Sequence, residues 1–178
     1  MAEAFSNKVT RAAGIVSTSS AGAVGILTNL ITGISTVDVA VNDLVDNTQF
    51  ILGTKVSSVG ASQVVCDRDS TNTAAAASQS VKFLGPTTAY TSTSTKSILV
   101  GGTFANNTGN SVNLTINVFD NSASTEVGLA ANIPVPNGSS FVISDTGKTV
   151  LESSDEIRLY CDTANAIDAT LSILTGVS

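Results

Sequence analysis

Gly53, Thr54 and Lys55, followed by Ser57 and Ser58, have the residue types of a phosphate-cradling loop. Such a loop needs a first glycine at a fixed distance ahead of its Gly-Lys pair, so that a nest of backbone amides works beside the lysine. That glycine is missing here, and Lys55 has no nest beside it. Asp67 and Asp69 flank Arg68, and their carboxylates would suit a hard cation such as calcium. The glycine and the closing glutamate of a calcium loop do not follow, so the pair is expected as solvated carboxylates at a strand end. Glu152, Asp155 and Glu156 lie close together in "LESSDE". A glycosidase sets its two carboxylates ~5–10 Å apart on separate elements, whereas these share one expected turn. Histidine is absent altogether, which removes Ser-His-Asp and Cys-His catalysis, the commonest zinc ligand and the usual proton shuttle. The expectation is therefore no catalytic residue, no cofactor-binding residue and no metal ligand.

Three further features read as structure. Tyr90 and Tyr160 accompany six Phe and no Trp, a poor supply for a sugar-stacking platform. Asn106 to Thr108 and Asn113 to Thr115 match the glycosylation acceptor pattern, but the second falls in an expected strand and no secretory signal precedes them. Cys66 and Cys161 are 95 positions apart without metal-ligand spacing, and each ends an apolar run. Two buried thiols are the commoner outcome for such residues, and one long-range bridge is the alternative.

Composition bounds the elements that must position these groups. The 178 residues are 42% hydrophobic and only 12% charged, with a mean hydropathy of +0.30, which describes a globular or assembled chain rather than a disordered one. Ser, Thr, Asn, Gly, Ala and Val dominate while strong helix formers are scarce, so strands and turns are favoured. The net charge is −6, and the eight Lys and Arg are scattered, which leaves no basic stripe for phosphates. Nucleic acid is not expected as a partner. Lys8 and Arg11 ahead of an Ala/Gly-rich stretch imitate a signal peptide, but Ser17 to Ser20 break the apolar run. No stretch approaches the ~20 apolar residues that cross a bilayer, and the expectation is a soluble, unprocessed protein without a membrane partner.

Periodicity is clearest towards the carboxyl end. In "SVNLTINVFD" Val112, Leu114, Ile116 and Val118 alternate with Asn113, Thr115 and Asn117, a strand with one buried face. "SILVGGTF", "SFVIS", "EIRLYC" and "AIDATLSIL" repeat the signal between turns such as Pro136-Asn137-Gly138. The fold class expected is all-β: an antiparallel sandwich or barrel-like domain over 97–178, preceded by a smaller β unit over 37–85. The Thr/Ser-rich 86–96 reads as an extended linker between them. Residues 1–36 read as an amino-terminal arm in which Ile15, Val16, Val24, Ile26, Leu27, Leu30, Ile31 and Ile34 stand among glycines. These side chains must find a surface, either on the chain's own first β unit or on a neighbouring subunit. Within that first unit, Gly53 and the "GAS" at 60–62 read as devices of a hairpin.

"VNDLVDNTQFILGTKVSSVGASQVV" at 41–65 resembles a short β unit common in phage virion and tail-associated proteins, through Val41, Asp43, Leu44, Val45, Gly53, Thr54, Val56, Ser58 and Val59. Asn42 stands where that pattern has Gly, Phe50 where it has Ile and Ile51 where it has Pro, which leaves the turn geometry there open. "SILVGGTFANNT", "IPVPNGSSFVISDTGKTVLESSDEIRLYCDT" and "AIDATLSILTG" resemble the small β-domain of structural proteins from marine tailed phages, notably those infecting cyanobacteria. The resemblance implies a non-enzymatic structural component of a tailed-phage virion: a head decoration, neck or tail-accessory subunit. Its partners would be other copies of itself and other virion proteins, in a particle assembled in the host cytoplasm. A receptor- or glycan-binding fibre or adhesin module is the alternative, since polar loops between rigid strands supply adaptable hydrogen bonds.

Overall fold

The computed structural model describes residues 3–144 and 148–177. Residues 1–2, 145–147 and 178 are not among the described residues; with them fall the first positions of the expected arm, the turn between "SFVIS" and "KTVL" in the phage-like segment, and the last residue of the expected carboxyl-terminal domain. All helix or strand structure among the described residues is strand, as the composition requires. Strand β1 (Ala4–Ala13) opens a compact unit made of Met1–Gly14 and Thr87–Ser178. Strands β2 (Ile15–Val24), β3 (Leu30–Thr32), β4 (Leu44–Asp46), β5 (Val56–Val59), β6 (Gln63–Cys66) and β7 (Ala76–Gly85) form a second unit, Ile15–Pro86, inserted into the first. The chain then returns with β8 (Thr87–Thr91), β9 (Lys96–Asn106), β10 (Val112–Asp120) and β11 (Thr125–Val135). It ends with β12 (Ser140–Ile143), β13 (Thr149–Glu152), β14 (Glu156–Cys161) and β15 (Ile167–Thr175).

The first unit is an antiparallel sandwich. One sheet runs β1-β15-β9-β12, with β13 also paired to β9, and the other runs β11-β10-β14-β8. The period-two pattern decides what each sheet buries. Val112, Leu114 and Ile116 of β10, Ile157, Leu159 and Cys161 of β14, and Ala169, Leu171 and Ile173 of β15 meet Leu99, Phe104 and Leu151 in one core. Each large apolar side chain enclosed there contributes about 1.5–3 kcal/mol.

The expected linker 86–96 is corrected by this arrangement. Its first half is β8, which pairs with β14 at the sheet edge and buries Ala89 and Tyr90. Threonine alternation supports a strand as well as valine alternation does, because both are β-branched. Tyr90 Oη lies 3.0 Å from Ser97 Oγ, and Ser97 Oγ lies 3.0 Å from Ser92 Oγ, so these buried hydroxyls satisfy one another.

The inserted unit is a small barrel. Its ladder runs β4-β7-β2-β3-β6-β5, and the two ends of that ribbon rejoin. Val45 N donates to Thr54 O at 2.8 Å and Val56 N to Asp43 O at 2.9 Å, beside a bridge between Leu44 and Lys55. Closure removes the free edges of the sheet. Val24, Ile31, Val45, Phe50, Val56, Val64, Cys66, Val81 and Phe83 fill the interior. The 53–67 segment is the expected hairpin: Gly53 adopts φ +82°, Gly60 N donates to Gln63 O at 2.8 Å, and Val59 faces Val64.

The expected arm 1–36 is not an arm. Residues 4–13 complete one sheet of the sandwich, and β2 and β3 lie inside the barrel ladder. Val24, Ile31 and Ile34 enter the barrel core, so these three find their surface within the chain, while Ile15, Ile26 and Leu27 remain exposed. The small unit accordingly spans Ile15–Pro86 rather than 37–85, and the sandwich takes in Met1–Gly14 as well as everything from Thr87 onward. The sequence pattern fails here because one apolar, glycine-broken run serves two separate cores.

Gly14 marks the departure from the sandwich. It adopts φ +128°, and a Cβ built there would collide with Thr163 O and come within 3.2 Å of Cys161 Cβ. Its own carbonyl accepts from Asn165 N at 3.0 Å, and its N–H donates to Thr87 Oγ1 at 3.2 Å. Gly14→Ala is expected to destabilise the sandwich by at least ~2 kcal/mol, combining a disfavoured dihedral with a backbone clash; urea unfolding followed by circular dichroism measures it.

Cys66 and Cys161 are free and buried, one in each unit's core. Burial, helped by the adjacent charges of Asp67 and Asp162, pushes both thiols up to about 12. Neither forms thiolate at neutral pH, so neither reacts while folded. Alkylation followed by mass spectrometry is expected to label neither cysteine below pH 9 until denaturant unfolds the chain, and a reductant is expected to leave the melting temperature unchanged.

Candidate functional site

The residues singled out for chemistry are dispersed into backbone duties. Asp67 Oδ1 accepts from Lys55 N at 2.8 Å and its carboxylate lies 3.9 Å from Arg68, so it fastens the base of the β5–β6 hairpin. Asp69 is exposed. Asp155 is buried in the turn before β14, where Oδ1 accepts from Asn121 N at 3.0 Å and Oδ2 from Glu152 N at 2.8 Å. Glu156 points elsewhere, towards Arg158, so "LESSDE" is not one acidic site. Asn106 Nδ2 donates to Asn110 O and Val135 O at 2.7 and 2.8 Å, and Asn113 Nδ2 donates to Asp162 Oδ2 at 3.0 Å. Both acceptor-pattern asparagines thus spend their amides on the fold. Among the described residues no group of three or more His, Cys, Asp or Glu is placed to hold a metal ion. A shallow groove of about 440 Å³ in the barrel, between Ala23, Leu30 and Ala76, is lined by small and apolar residues without a titratable group.

Pairing register assembles two surfaces that the linear sequence conceals. On the outer face of the β11-β10-β14-β8 sheet, Phe119 stands directly between Glu126 and Glu156. The Arg158 guanidinium lies 3.7 Å above the Phe119 ring, with Nε donating to Glu156 Oε2 at 2.7 Å and Nη1 3.8 Å from Glu126 Oε2. Glu126 Oε1 accepts from Tyr160 Oη at 2.8 Å and Asn117 Nδ2 at 3.1 Å. Thr88 Oγ1 donates to Glu156 Oε2 at 3.2 Å. Burial, then the charge of Glu126, raises the Tyr160 phenol well above its ordinary range, so it stays a proton donor. Glu126 thus gives Oε1 to the phenol and the amide while Oε2 faces the guanidinium. The cluster acts as a rivet that ties edge strand β11 to β10 and β14.

The outer face of the other sheet carries apolar rows bordered by the Lys96–Glu152 pair and by Asp168. Phe5 of β1 pairs with Leu174 of β15, Leu174 with Ile98 of β9, and Ile98 with Val150 of β13. This row crosses four strands, a span of about 14 Å at ~4.8 Å per strand. A second row runs Val9, Thr170, Thr103 and Val142, and Val100 lies between the rows. Phe5, Val9, Val100, Val142 and Val150 are 63%, 77%, 41%, 52% and 53% exposed. Isolated exposed valines are ordinary, but side chains aligned across a sheet gather apolar surface of the kind that contacts another protein, here with Ser172 Oγ donating to Asn7 Oδ1 at 3.2 Å between the two rows. No reading of the sequence found it. Its one local signal is the alternation of Phe5, Asn7 and Val9, hidden inside a segment read as an arm.

The polar rivet makes a measurable statement. In a double-mutant cycle of Glu126→Gln and Tyr160→Phe, urea unfolding is expected to give a coupling of about 1–3 kcal/mol, as for a buried hydrogen bond to a charged acceptor. A coupling near zero would mean that the two groups are independently solvated.

No protein-family model, no curated protein and no solved structure matches the chain.

Proposed function

We propose that the chain is a non-enzymatic structural component of a tailed-phage virion, serving as a head-decoration, neck or tail-accessory subunit and acting through oligomeric protein–protein contacts. The observation that carries this reading is the apolar outer face of the β1-β15-β9-β13 strands, where Phe5, Leu174, Ile98 and Val150 align beside Val9, Val100 and Val142. Such a face gains stability when a neighbour covers it, at about 25 cal/mol per Å² of apolar surface removed from water. Repetition around a particle multiplies a modest contact into a firm attachment. The phage-like segments support the reading from a second side. "GTKVSSVGASQVV" forms a barrel hairpin, and "SFVIS" and "KTVL" supply β12 and β13, two of the strands that border the apolar face.

Mass spectrometry of purified particles is expected to find the chain in a fixed ratio to the major shell protein. Recombinant chain is expected to co-sediment with particles that lack it, and Val100→Lys/Val150→Lys to abolish that binding while shifting stability by no more than about 0.5 kcal/mol, as befits exposed positions. A chain absent from particles, or binding that persists in the double variant, would refute the reading or this face's part in it, respectively.

A further inference from the structure

Edge strands are where one sheet can recruit another, and folded chains blunt them with bulges, prolines, charged side chains, short length or closure. The edges here differ sharply in that respect. The barrel has closed its ladder. Edge strand β8 is five residues long with a register shift. Strand β11 faces two register shifts and carries Pro134. The edge opposite β1 is split into β12 and β13, each four residues long. Among the described residues, β1 offers the longest regular edge: Ala4 to Thr10 pair with β15 in unbroken register ahead of a bulge at Arg11 and Ala12, and residues 3–9 are exposed or nearly so.

From this edge we infer that two copies of the chain join through antiparallel pairing of β1 with β1 about a two-fold axis at Asn7. The inference rests on the reading of the chain as a self-associating structural subunit and names the surface and the partner. A two-fold perpendicular to the sheet keeps each residue on its own face, so residue numbers in opposed pairs sum to an even constant. With Asn7 opposite Asn7 of the second copy, Phe5 meets Val9 twice, an aromatic and β-branched cross-strand pair on the same outer face. The same register brings Glu3, one residue ahead of β1, to the end of the partner's strand where Arg11 opens the bulge after Thr10, both exposed, and it does so twice. Lys8 lies opposite Ser6. The neighbouring registers lose these matches. Centring on Ser6 sets Glu3 against Val9 and Phe5 against Asn7; centring on Lys8 sets that lysine against itself. Lys8, whose backbone pairs with the core residue Leu171, is the one charge in the regular stretch of this edge, and opposite Ser6 it meets no like charge. Pairing at Asn7 would also run the two apolar faces together into one surface across both copies.

Sedimentation velocity and oxidative cross-linking test this directly. Cys66 and Cys161 are buried, so a new surface thiol reports alone. Asn7→Cys is expected to give a disulfide-linked dimer on mild oxidation, whereas Asn121→Cys, on an exposed turn, is expected to remain monomeric on the same gel. Glu3→Arg and Arg11→Glu are each expected to weaken dimerisation about tenfold or more, since each replaces two attractive pairs by two repulsive ones. Glu3→Arg mixed with Arg11→Glu is expected to restore dimerisation, as a heterodimer whose facing charges are again opposite. If the wild-type chain self-associates while these substitutions change nothing and Asn7→Cys does not cross-link, β1 is not the interface, and the broader reading stands on its particle measurement. A wild-type chain that is monomeric at every attainable concentration overturns the β1 pairing whatever that measurement finds.

Discussion

Ile15 lies opposite Gly85 in the ladder between the first and last strands of the barrel, so both ends of the inserted unit leave it side by side. The sandwich depends on that pairing. Its first strand is parted from all the others by the whole insertion, and β1 can lie on β15 only if the chain departs and returns at neighbouring points. Gly14 N donating to Thr87 Oγ1, and Thr10 Oγ1 donating to Ala89 O, hold the two arrivals together at the sandwich end. Gly14 is glycine because the turn that leaves β1 passes so close to the 163–165 backbone that a side chain has no room.

With only 12% charged residues, this chain relies on Ser, Thr and Asn for much of its polar surface and places its charges in a few clusters. Glu126, Glu156 and Arg158 are gathered on one sheet, where each answers another and Phe119 supplies the floor. The opposite sheet keeps its charges at its margins, Lys96 beside Glu152 and Asp168 near Ala12 N, with Thr, Ser and Val between its apolar rows. Antiparallel sheets ordinarily solvate the face that does not touch the core. Solvent meets valine and phenylalanine instead, a departure with a structural cost unless something else covers them.

The alternating run Val112 to Val118 was legible because all its inward residues serve one core and its outward residues are polar. The all-β class followed from the same signal repeated. Strand β8 was not legible, because Thr87, Thr88 and Thr91 carry β-propensity without hydrophobicity. Residues 1–36 were misjudged because contiguity in sequence suggested one role where the chain divides between two units at Gly14. Neither outer-face cluster was visible at all. Glu126 and Tyr160 are far apart in the chain and meet only through the β10–β11 and β10–β14 registers, and Phe5 meets Val150 through two intervening strands. Register is a property of pairs of strands, and a single sequence specifies it only through the fold as a whole.

The nesting of one unit inside the other also imposes an order on synthesis. The barrel is contiguous from Ile15 to Pro86 and can close before the ribosome has made β15. The sandwich cannot, because β1 is the first strand made and its partner β15 is the last. Until β15 emerges, β1 waits as an unpaired tether. A finished barrel shortens that wait's entropic penalty, since it collapses a long flexible loop into a rigid clip whose ends are already adjacent, and loop-closure entropy grows with the number of free residues. A chain that folds its insert first leaves an open host, in which β1 lacks its sheet neighbour until β15 is made.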